Sequence, residues 1–117
     1  MMSERPEEIR LKEKGRRLEL NYASGERLSW AAEYLRVESP SAEVQGHGPG
    51  EGILVAGKRE VAISRLEPVG NYAIRIIFDD GHSTGLYTWT YLAELARDEE
   101  RIWGGYLKKL EAAKLSR

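Results

Sequence analysis

One stretch decides the fold of this chain: Tyr72-Ala73-Ile74-Arg75-Ile76-Ile77-Phe78-Asp79-Asp80-Gly81-His82-Ser83-Thr84-Gly85-Leu86. Apolar side chains stand at every second position from its first residue to the phenylalanine, which is the spacing of one face of a β-strand. Further apolar residues on the opposite face predict a central strand that is covered on both sides. Asp80-Gly81 is a strong signal for a tight hairpin turn, and residues 82–86 are the predicted return strand.

Alternating apolar and charged residues predict more strands toward the N-terminus. Residues 9–11 and 18–22 follow this pattern, and Lys14-Gly15 between them fits a short hairpin turn. Ser24-Gly25 predicts a second turn, after which residues 27–28 pair briefly. Together these segments predict an antiparallel sheet that is built from hairpins.

Helical patterns follow two of the predicted strands and also occur near the C-terminus. Ser29 is a suitable N-cap for a helix from Trp30 to Leu35, which a following proline stops. Thr88 caps a second helix, whose core-facing stripe is Trp89, Leu92, Ala93 and Ala96. A third apolar stripe consists of Trp103, Tyr106, Leu107 and Leu110. Gly104-Gly105 inside it costs about 1 kcal/mol per glycine relative to alanine, so this helix is expected to fray, bend or order against a partner.

The composition predicts one soluble globular domain. The chain has 117 residues, 41% hydrophobic and 32% charged, and a chain of this size buries a core without disulfides or metals. No apolar run approaches the roughly 20 residues that cross a bilayer, and the polar, acidic N-terminus is unlike a signal peptide. The absence of cysteine excludes disulfides, thiolate nucleophiles and cysteine-based zinc or iron–sulfur sites. A net charge of −1 does not indicate nucleic-acid binding, and a reducing cytoplasm is the expected compartment.

These patterns predict an α+β fold, a small single domain in which a mainly antiparallel sheet with hairpins packs against two or three helices. Residues 1–7 are expected to be a disordered lead, and residues 8–97 to be the folded domain. Residues 98–117 are expected to form a C-terminal helix with some mobility.

A long glycine-rich loop, residues 38–52, holds one of the two histidines. His47 lies in Gly46-His47-Gly48-Pro49-Gly50, where the glycines allow positive φ and a close approach to a ligand. The alternative is a surface loop whose glycines only serve turns. The glycines are not followed by the lysine and serine or threonine of a phosphate-binding loop.

The second histidine, His82, follows the turn Asp79-Asp80-Gly81. A histidine beside a carboxylate suits a divalent metal or general acid–base chemistry. The alternative is structural, because aspartate before glycine also accepts the hydrogen bonds of a hairpin turn. Neither a Gly-x-Ser-x-Gly elbow nor another catalytic set accompanies the histidines, so we expect no catalytic residues and a non-catalytic protein.

Two blocks of sequence carry a family resemblance. The first contains Trp30, Tyr34-Leu35-Arg36 and Ser39-Pro40-Ser41-Ala42-Glu43-Val44, and continues to Gly46-His47-Gly48. The second runs from Tyr72 through Asp80-Gly81-His82-Ser83 to Tyr91-Leu92. Together, over roughly residues 8 to 95, they resemble the gamma-butyrobetaine hydroxylase-like N-terminal domain, which implies a small α+β domain.

The resemblance implies an accessory role in iron-handling systems. In the full-length dioxygenases this domain precedes an iron- and 2-oxoglutarate-dependent catalytic domain, for which the present chain has no room. A similar domain is appended to some iron–sulfur cluster carrier ATPases. The resemblance therefore implies a non-catalytic interaction domain whose protein partner is an iron–sulfur carrier or an iron-dependent oxygenase.

The zinc ligands of the eukaryotic hydroxylases are largely missing from this chain. The resemblance places their three cysteines at Ser39, Ser41 and Val44, and their histidine at His82. Serine and valine do not replace thiolates on structural zinc. We therefore expect the domain to fold without a cofactor.

Two hypotheses for the site follow. In the first, an exposed recognition loop for the protein partner is formed by Arg36, Ser39, Ser41, Glu43 and His47. In the second, an open Fe or Zn site is formed by His82, His47 and the nearby carboxylates Asp80 and Glu43. Neither hypothesis involves nucleic acid or a membrane, and both leave the oligomeric state open.

Overall fold

The structure, a computed structural model, describes residues 5–41 and 54–117. Within these residues two antiparallel sheets pack with three helices, which confirms the predicted α+β fold. The first half contains β1 (Glu8–Lys12), β2 (Arg17–Asn21), β3 (Arg27–Ala31) and α1 (Ala32–Val37). The second half contains β4 (Ile63–Val69), β5 (Ala73–Phe78), β6 (Leu86–Thr88), α2 (Trp89–Arg97) and α3 (Glu99–Ala112). None of the described helices is long and apolar enough to span a membrane.

Each sheet of the described chain has three antiparallel strands, with the second strand in the middle. In the first sheet, Leu18 and Leu20 of β2 are fully buried. In the second sheet, β5 lies between β4 and β6, so the prediction of a central strand is confirmed. Alternate residues of β5 from Ile74 to Phe78 are buried in the core, whereas Arg75 on the other face is exposed. The prediction that β5 is covered on both faces is therefore confirmed only in part.

Aromatic side chains join the sheets and helices into one core. Trp30 of β3 is fully buried, and its indole N–H donates to the carbonyl of Leu92 in α2 at 3.1 Å. The phenol of Tyr34 in α1 donates to the carbonyl of Leu95 at 2.8 Å. Buried Trp and Tyr satisfy their polar atoms in this way. Both packing and hydrogen bonds therefore hold α2 against the first half of the chain.

The turn between β1 and β2 brings the two sheets together. It is a short 3-10 turn, Glu13–Gly15, in which Gly15 has a φ of +88°. A Cβ atom on Gly15 would lie 2.3 Å from the carbonyl oxygen of Ile63, at the start of β4. Glycine alone accepts this conformation and this approach without strain, so the first hairpin packs directly on the second sheet.

The first helix begins later than the sequence predicts. Residues 29–31 continue β3, and the helix covers only Ala32–Val37. Trp30 pairs with Leu18 across the ladder, and Ser29 Oγ accepts a hydrogen bond from Arg17 Nε at 2.8 Å instead of capping a helix. The predicted start is wrong because a short apolar run fits either period, and pairing with β2 decides between them.

The return strand after the hairpin turn also begins later than predicted. β6 covers Leu86–Thr88, and residues 82–85 lie outside the ladder. The turn forms at the predicted position, but it has three residues instead of the two that Asp80-Gly81 predicts, since the N–H of Phe78 donates to the carbonyl of His82 at 3.0 Å. The side chains of His82 and Thr84 instead form hydrogen bonds with the segment after α1, as described below.

The predictions for the two C-terminal helices are largely confirmed. Thr88 caps α2 by accepting a hydrogen bond from the N–H of Tyr91 at 3.0 Å. In α3, Tyr106 is buried and its phenol donates to the carbonyl of Val55 at 2.6 Å. Leu107, which the pattern places on the buried stripe, is instead 38% exposed.

Residues 5–7, assigned to the disordered lead in the sequence prediction, contact the folded body. Arg5 donates to the side chain of Asn71 at 3.0 Å, and Pro6 is buried. The N–H of Glu7 donates to the carbonyl of Asn21 at 2.9 Å. For residues 1–4, which lie outside the described residues, the disordered lead stays a prediction.

Candidate functional site

A buried serine–histidine pair lies between the end of α1 and the turn after β5. Ser39 Oγ and His82 Nε2 are 2.9 Å apart, and the two residues are 0% and 8% exposed. Ser39 follows the C-terminus of α1, while His82 follows the hairpin turn that ends β5. The contact therefore joins segments that are 43 positions apart in the sequence.

Further hydrogen bonds fasten the same two segments. The N–H of Ser41 donates to Ser39 Oγ at 3.3 Å, and Ser41 Oγ lies 2.7 Å from Thr84 Oγ1. A Cβ atom on Gly85 would lie 2.6 Å from Ser39 Oγ, so the residue after Thr84 needs to be glycine for this approach. Ser39, Ser41, His82 and Thr84 thus form one compact polar contact between the segment after α1 and the turn after β5.

Asp80 organises the charged side of the site. Its Oδ1 accepts a hydrogen bond from the N–H of His82 at 3.0 Å. Its Oδ2 accepts one from Arg36 Nε at 2.8 Å and lies 2.7 Å from Lys58 Nζ. Burial acts to raise the pKa of this carboxyl, but the hydrogen bonds from Lys58, His82 and Arg36 outweigh it and lower the pKa to about 2. Asp80 is therefore ionised throughout the physiological range.

Two tyrosine hydroxyls form hydrogen bonds with backbone carbonyls at the C-terminal end of α1. Tyr87 is fully buried and its phenol donates to the carbonyl of Leu35. Tyr91 donates to the carbonyl of Glu38 in the same way. Burial raises the pKa of the Tyr87 phenol, so the hydroxyl remains a donor at physiological pH. These bonds satisfy carbonyl groups that a helix end leaves without partners.

The pair of Ser39 and His82 has the spacing of a nucleophile and its base. A catalytic nucleophile also needs access to its substrate. Ser39 is 0% exposed, and Asp80 accepts a hydrogen bond from the backbone N–H of His82. The arrangement is suited to holding two segments together.

Five of the predicted site residues come together in the described structure: Arg36, Ser39, Ser41, Asp80 and His82. The other two, His47 and Glu43, lie outside the described residues, so an approach of His47 to His82 stays a prediction. In residues 5–41 and 54–117, His, Asp and Glu side chains do not form a group of three that could hold a metal ion.

Sequence reasoning missed Lys58, Thr84, Tyr87 and Tyr91 as parts of the site. The two tyrosines have a usable signal, because buried tyrosine needs a hydrogen-bond acceptor and both flank the Thr88 cap. Lys58 has no such signal, since its partner Asp80 lies on a distant segment and only the tertiary structure brings them together.

Comparisons with known proteins give a family match and several similar solved structures. The model of the family described as gamma-butyrobetaine hydroxylase-like, N-terminal, matches residues 9–93. Two NMR solution structures are similar to this chain: one at 44% identity and a TM-score of 0.82, covering 99% of this chain and 91% of that one, and another at 46% and 0.83, covering 99% and 86%.

A crystal structure of a protein of unknown function from Acidithiobacillus ferrooxidans, in the DUF971 family, is also similar. It is 38% identical with a TM-score of 0.64, and the match covers 79% of this chain and 92% of that one. Among curated proteins, none matches the chain.

Proposed function

This chain belongs to the gamma-butyrobetaine hydroxylase-like N-terminal domain family, and from that premise we propose that it is a non-catalytic interaction domain. Its partner in this proposal is an iron-handling protein, either an iron–sulfur cluster carrier or an iron-dependent oxygenase. The observation that carries the proposal is the buried hydrogen bond between Ser39 and His82. Hydroxyl and imidazole groups can act in catalysis or metal binding. Here the two side chains bond one another and join two distant segments of the chain.

The positions of these residues support the proposal. The family resemblance assigns Ser39, Ser41 and His82 to positions that bind zinc in the hydroxylases. Here Ser39 bonds His82 at 2.9 Å, and the N–H of Ser41 bonds Ser39 at 3.3 Å. A hydroxyl and an imidazole at this spacing satisfy one another without a cation. Ser39 and Ser41 are 0% and 6% exposed, so these two residues of the predicted recognition loop act in this proposal as its anchor and not as its contact surface.

The charge beside this anchor supports an acidic contact on the partner. Among the described residues, Arg36 and Lys58 share the carboxylate of Asp80, which leaves this group of three side chains with a net charge of +1. The Lys58 side chain is 25% exposed, so part of this charge faces solvent. Complementary charges steer association and select partners. We propose that the partner presents a carboxylate or phosphate group to Lys58.

The proposal is tested by binding to purified candidates from the source organism. One candidate is an iron–sulfur cluster carrier ATPase, and the other is a 2-oxoglutarate-dependent oxygenase. We expect one of them to bind the untagged chain in calorimetry, and Lys58→Glu to weaken that binding at least tenfold. Arg65→Glu is the matched control, because Arg65 is an exposed cation on β4 paired with Glu67. Failure of both candidates to bind, or equal effects of the two variants, would contradict the proposal.

Metal binding is the alternative proposal, in which His82, His47, Asp80 and Glu43 take Fe or Zn. It is favoured by the adjacency of His82 and Asp80, and it requires the metal to displace the contacts of Asp80 with Arg36 and Lys58. The untagged protein would then contain stoichiometric metal, and Fe(II) or Zn(II) would raise its melting temperature. Absence of both effects would exclude this alternative.

A further inference from the structure

Among the described residues, the outer edge of β1 is open for strand pairing. In the described chain β1 pairs with β2 alone, its five residues are all exposed, and its ladder runs without a register shift. A continuous edge of this kind is a template for another strand. By contrast, the edge strand β4 contains Pro68 and a register shift between Ile63 and Arg65, which both oppose strand addition.

Two apolar side chains extend the core to this edge. Ile9 and Leu11 lie opposite Leu20 and Leu18 in the ladder, and directly opposed residues share one face of a sheet. Leu18 and Leu20 are fully buried, whereas Ile9 and Leu11 are 38% and 40% exposed. An additional strand beyond β1 would cover these side chains and continue the core.

The sequence of β1 is complementary to its own antiparallel copy. In the register centred on Arg10, Glu8 of one chain lies opposite Lys12 of the other, and Ile9 lies opposite Leu11. A two-fold axis makes each of these pairs twice. Arg10 lies opposite its own copy in this register. The repulsion between the two guanidinium groups is reduced, because the Glu8 carboxylate lies 2.9 Å from the Arg10 guanidinium in the same chain.

Other registers fit less well. A register centred on Leu11 places Arg10 opposite Lys12, which sets like charges against each other. A register centred on Ile9 places Lys12 beyond the start of the partner's strand. A shift by one residue would set apolar side chains against charged ones, because side chains alternate between faces.

We propose that β1 is the homodimer interface of this protein, with a second copy of the chain as the occupant of the edge. Two copies pair antiparallel through Glu8–Lys12 and join their three-stranded sheets into one continuous sheet. A single short strand pair buries less area than the roughly 1,600 Å² of a standard interface, so the dimer is weak and depends on concentration.

Charge reversal tests this interface. Sedimentation equilibrium of the untagged protein, from about 10 µM to about 1 mM, covers the affinity range of a weak dimer. We expect the wild type to self-associate, and Glu8→Lys and Lys12→Glu each to weaken association at least tenfold. An equimolar mixture of the two variants should associate more strongly than either variant alone, because the two lysines of one chain then face the two glutamates of the other.

The mixing experiment separates pairing between chains from effects within one chain. Glu8 also accepts a hydrogen bond from Asn21, and Lys12 lies 3.4 Å from Glu19, but these contacts change equally in a variant alone and in the mixture. Lys108→Glu, on the exposed side of α3, is the control and should associate like the wild type. A monomeric wild type, unaffected single variants, or a mixture no more associated than its components would each overturn the proposal.

Discussion

Asp80 connects three segments that are distant in the sequence. It lies in the turn after β5, bonds the N–H of His82 in the same turn, and pairs with Arg36 of α1 and with Lys58. The turn role of Asp80 is predictable, because aspartate before glycine is a local signal. The ion pairs are not predictable from sequence, because they depend on which distant cations the fold brings to the turn.

The charge of Asp80 makes stability depend on pH in the acidic range. Its folded-state pKa is about 2, below the ordinary 3.8, so its contribution is fully present above the ordinary value and is lost as the pH falls toward 2. We expect Asp80→Asn to lower the free energy of unfolding at pH 7 by about 1 to 2 kcal/mol, a value reduced for solvent screening. The loss should shrink between pH 4 and pH 2.

Urea denaturation at pH 7 and at pH 3 measures this difference. Glu111→Gln, on the exposed end of α3, is the matched control and should change stability by less than about 0.5 kcal/mol. If Asp80→Asn costs the same at both pH values, the ionised carboxylate does not provide the stabilisation.

Glycines have opposite roles in two elements of this fold. Gly85, just before β6, leaves room for Ser39, since a Cβ there would lie 2.6 Å from Ser39 Oγ. Gly104 and Gly105 lie inside α3, where a Cβ would have no neighbour within 4 Å among residues 5–41 and 54–117 outside the helix itself. The sequence alone predicts the helix and its two unfavourable glycines, but it does not show which glycines are required by packing.

Alanine substitutions should therefore act with opposite signs. Gly104→Ala and Gly105→Ala should each raise the free energy of unfolding by roughly 0.5 to 1 kcal/mol, because alanine favours the helix and meets open space. Gly85→Ala should lower it by about 1 to 3 kcal/mol, because it forces Ser39 away from His82. Urea denaturation at neutral pH measures all three variants. A loss of stability in the α3 variants would show that their glycines make a contact absent from the monomer.

At the scale of the whole molecule, the C-terminal residues bind the last helix to the first half of the chain. Arg117 donates two hydrogen bonds to the carboxylate of Glu33 in α1, at 2.7 and 3.0 Å, and its guanidinium lies 5.4 Å from the centre of the Trp103 ring. The N–H of Gly57 donates to the carbonyl of Ser116 at 3.1 Å. The sequence predicts a C-terminal helix with some mobility for residues 98–117. In the structure, the end of this segment contacts α1 and Gly57.

Removal of the Arg117 cation should destabilise the protein as a whole. The Glu33 side chain is 7% exposed, so Arg117→Gln leaves a buried carboxylate without this partner. We expect a loss of about 1 to 2 kcal/mol, below the value for a fully buried pair because Arg117 itself is partly exposed. Glu33→Gln in the same chain should restore part of it, as measured by urea denaturation.

Arg101→Gln is the control for this experiment. Arg101 pairs with Asp98 at 3.4 Å, but its side chain is 75% exposed, so its loss should have little effect. Equal effects of the two single variants would mean that burial of Glu33 is not the reason for the loss.

The sequence by itself determined the class of the fold, the central strand β5, the position of the hairpin turn after it, the Thr88 cap of α2, and most of the apolar stripes of α2 and α3. These features rest on periodicity and turn chemistry, which act between neighbours in the chain. Only the tertiary structure decided where α1 begins, where β6 begins, and that Ser39 meets His82. The reason is that strand pairing and buried hydrogen bonds between distant segments leave no pattern in either segment alone, and they override weak local preferences where the two compete.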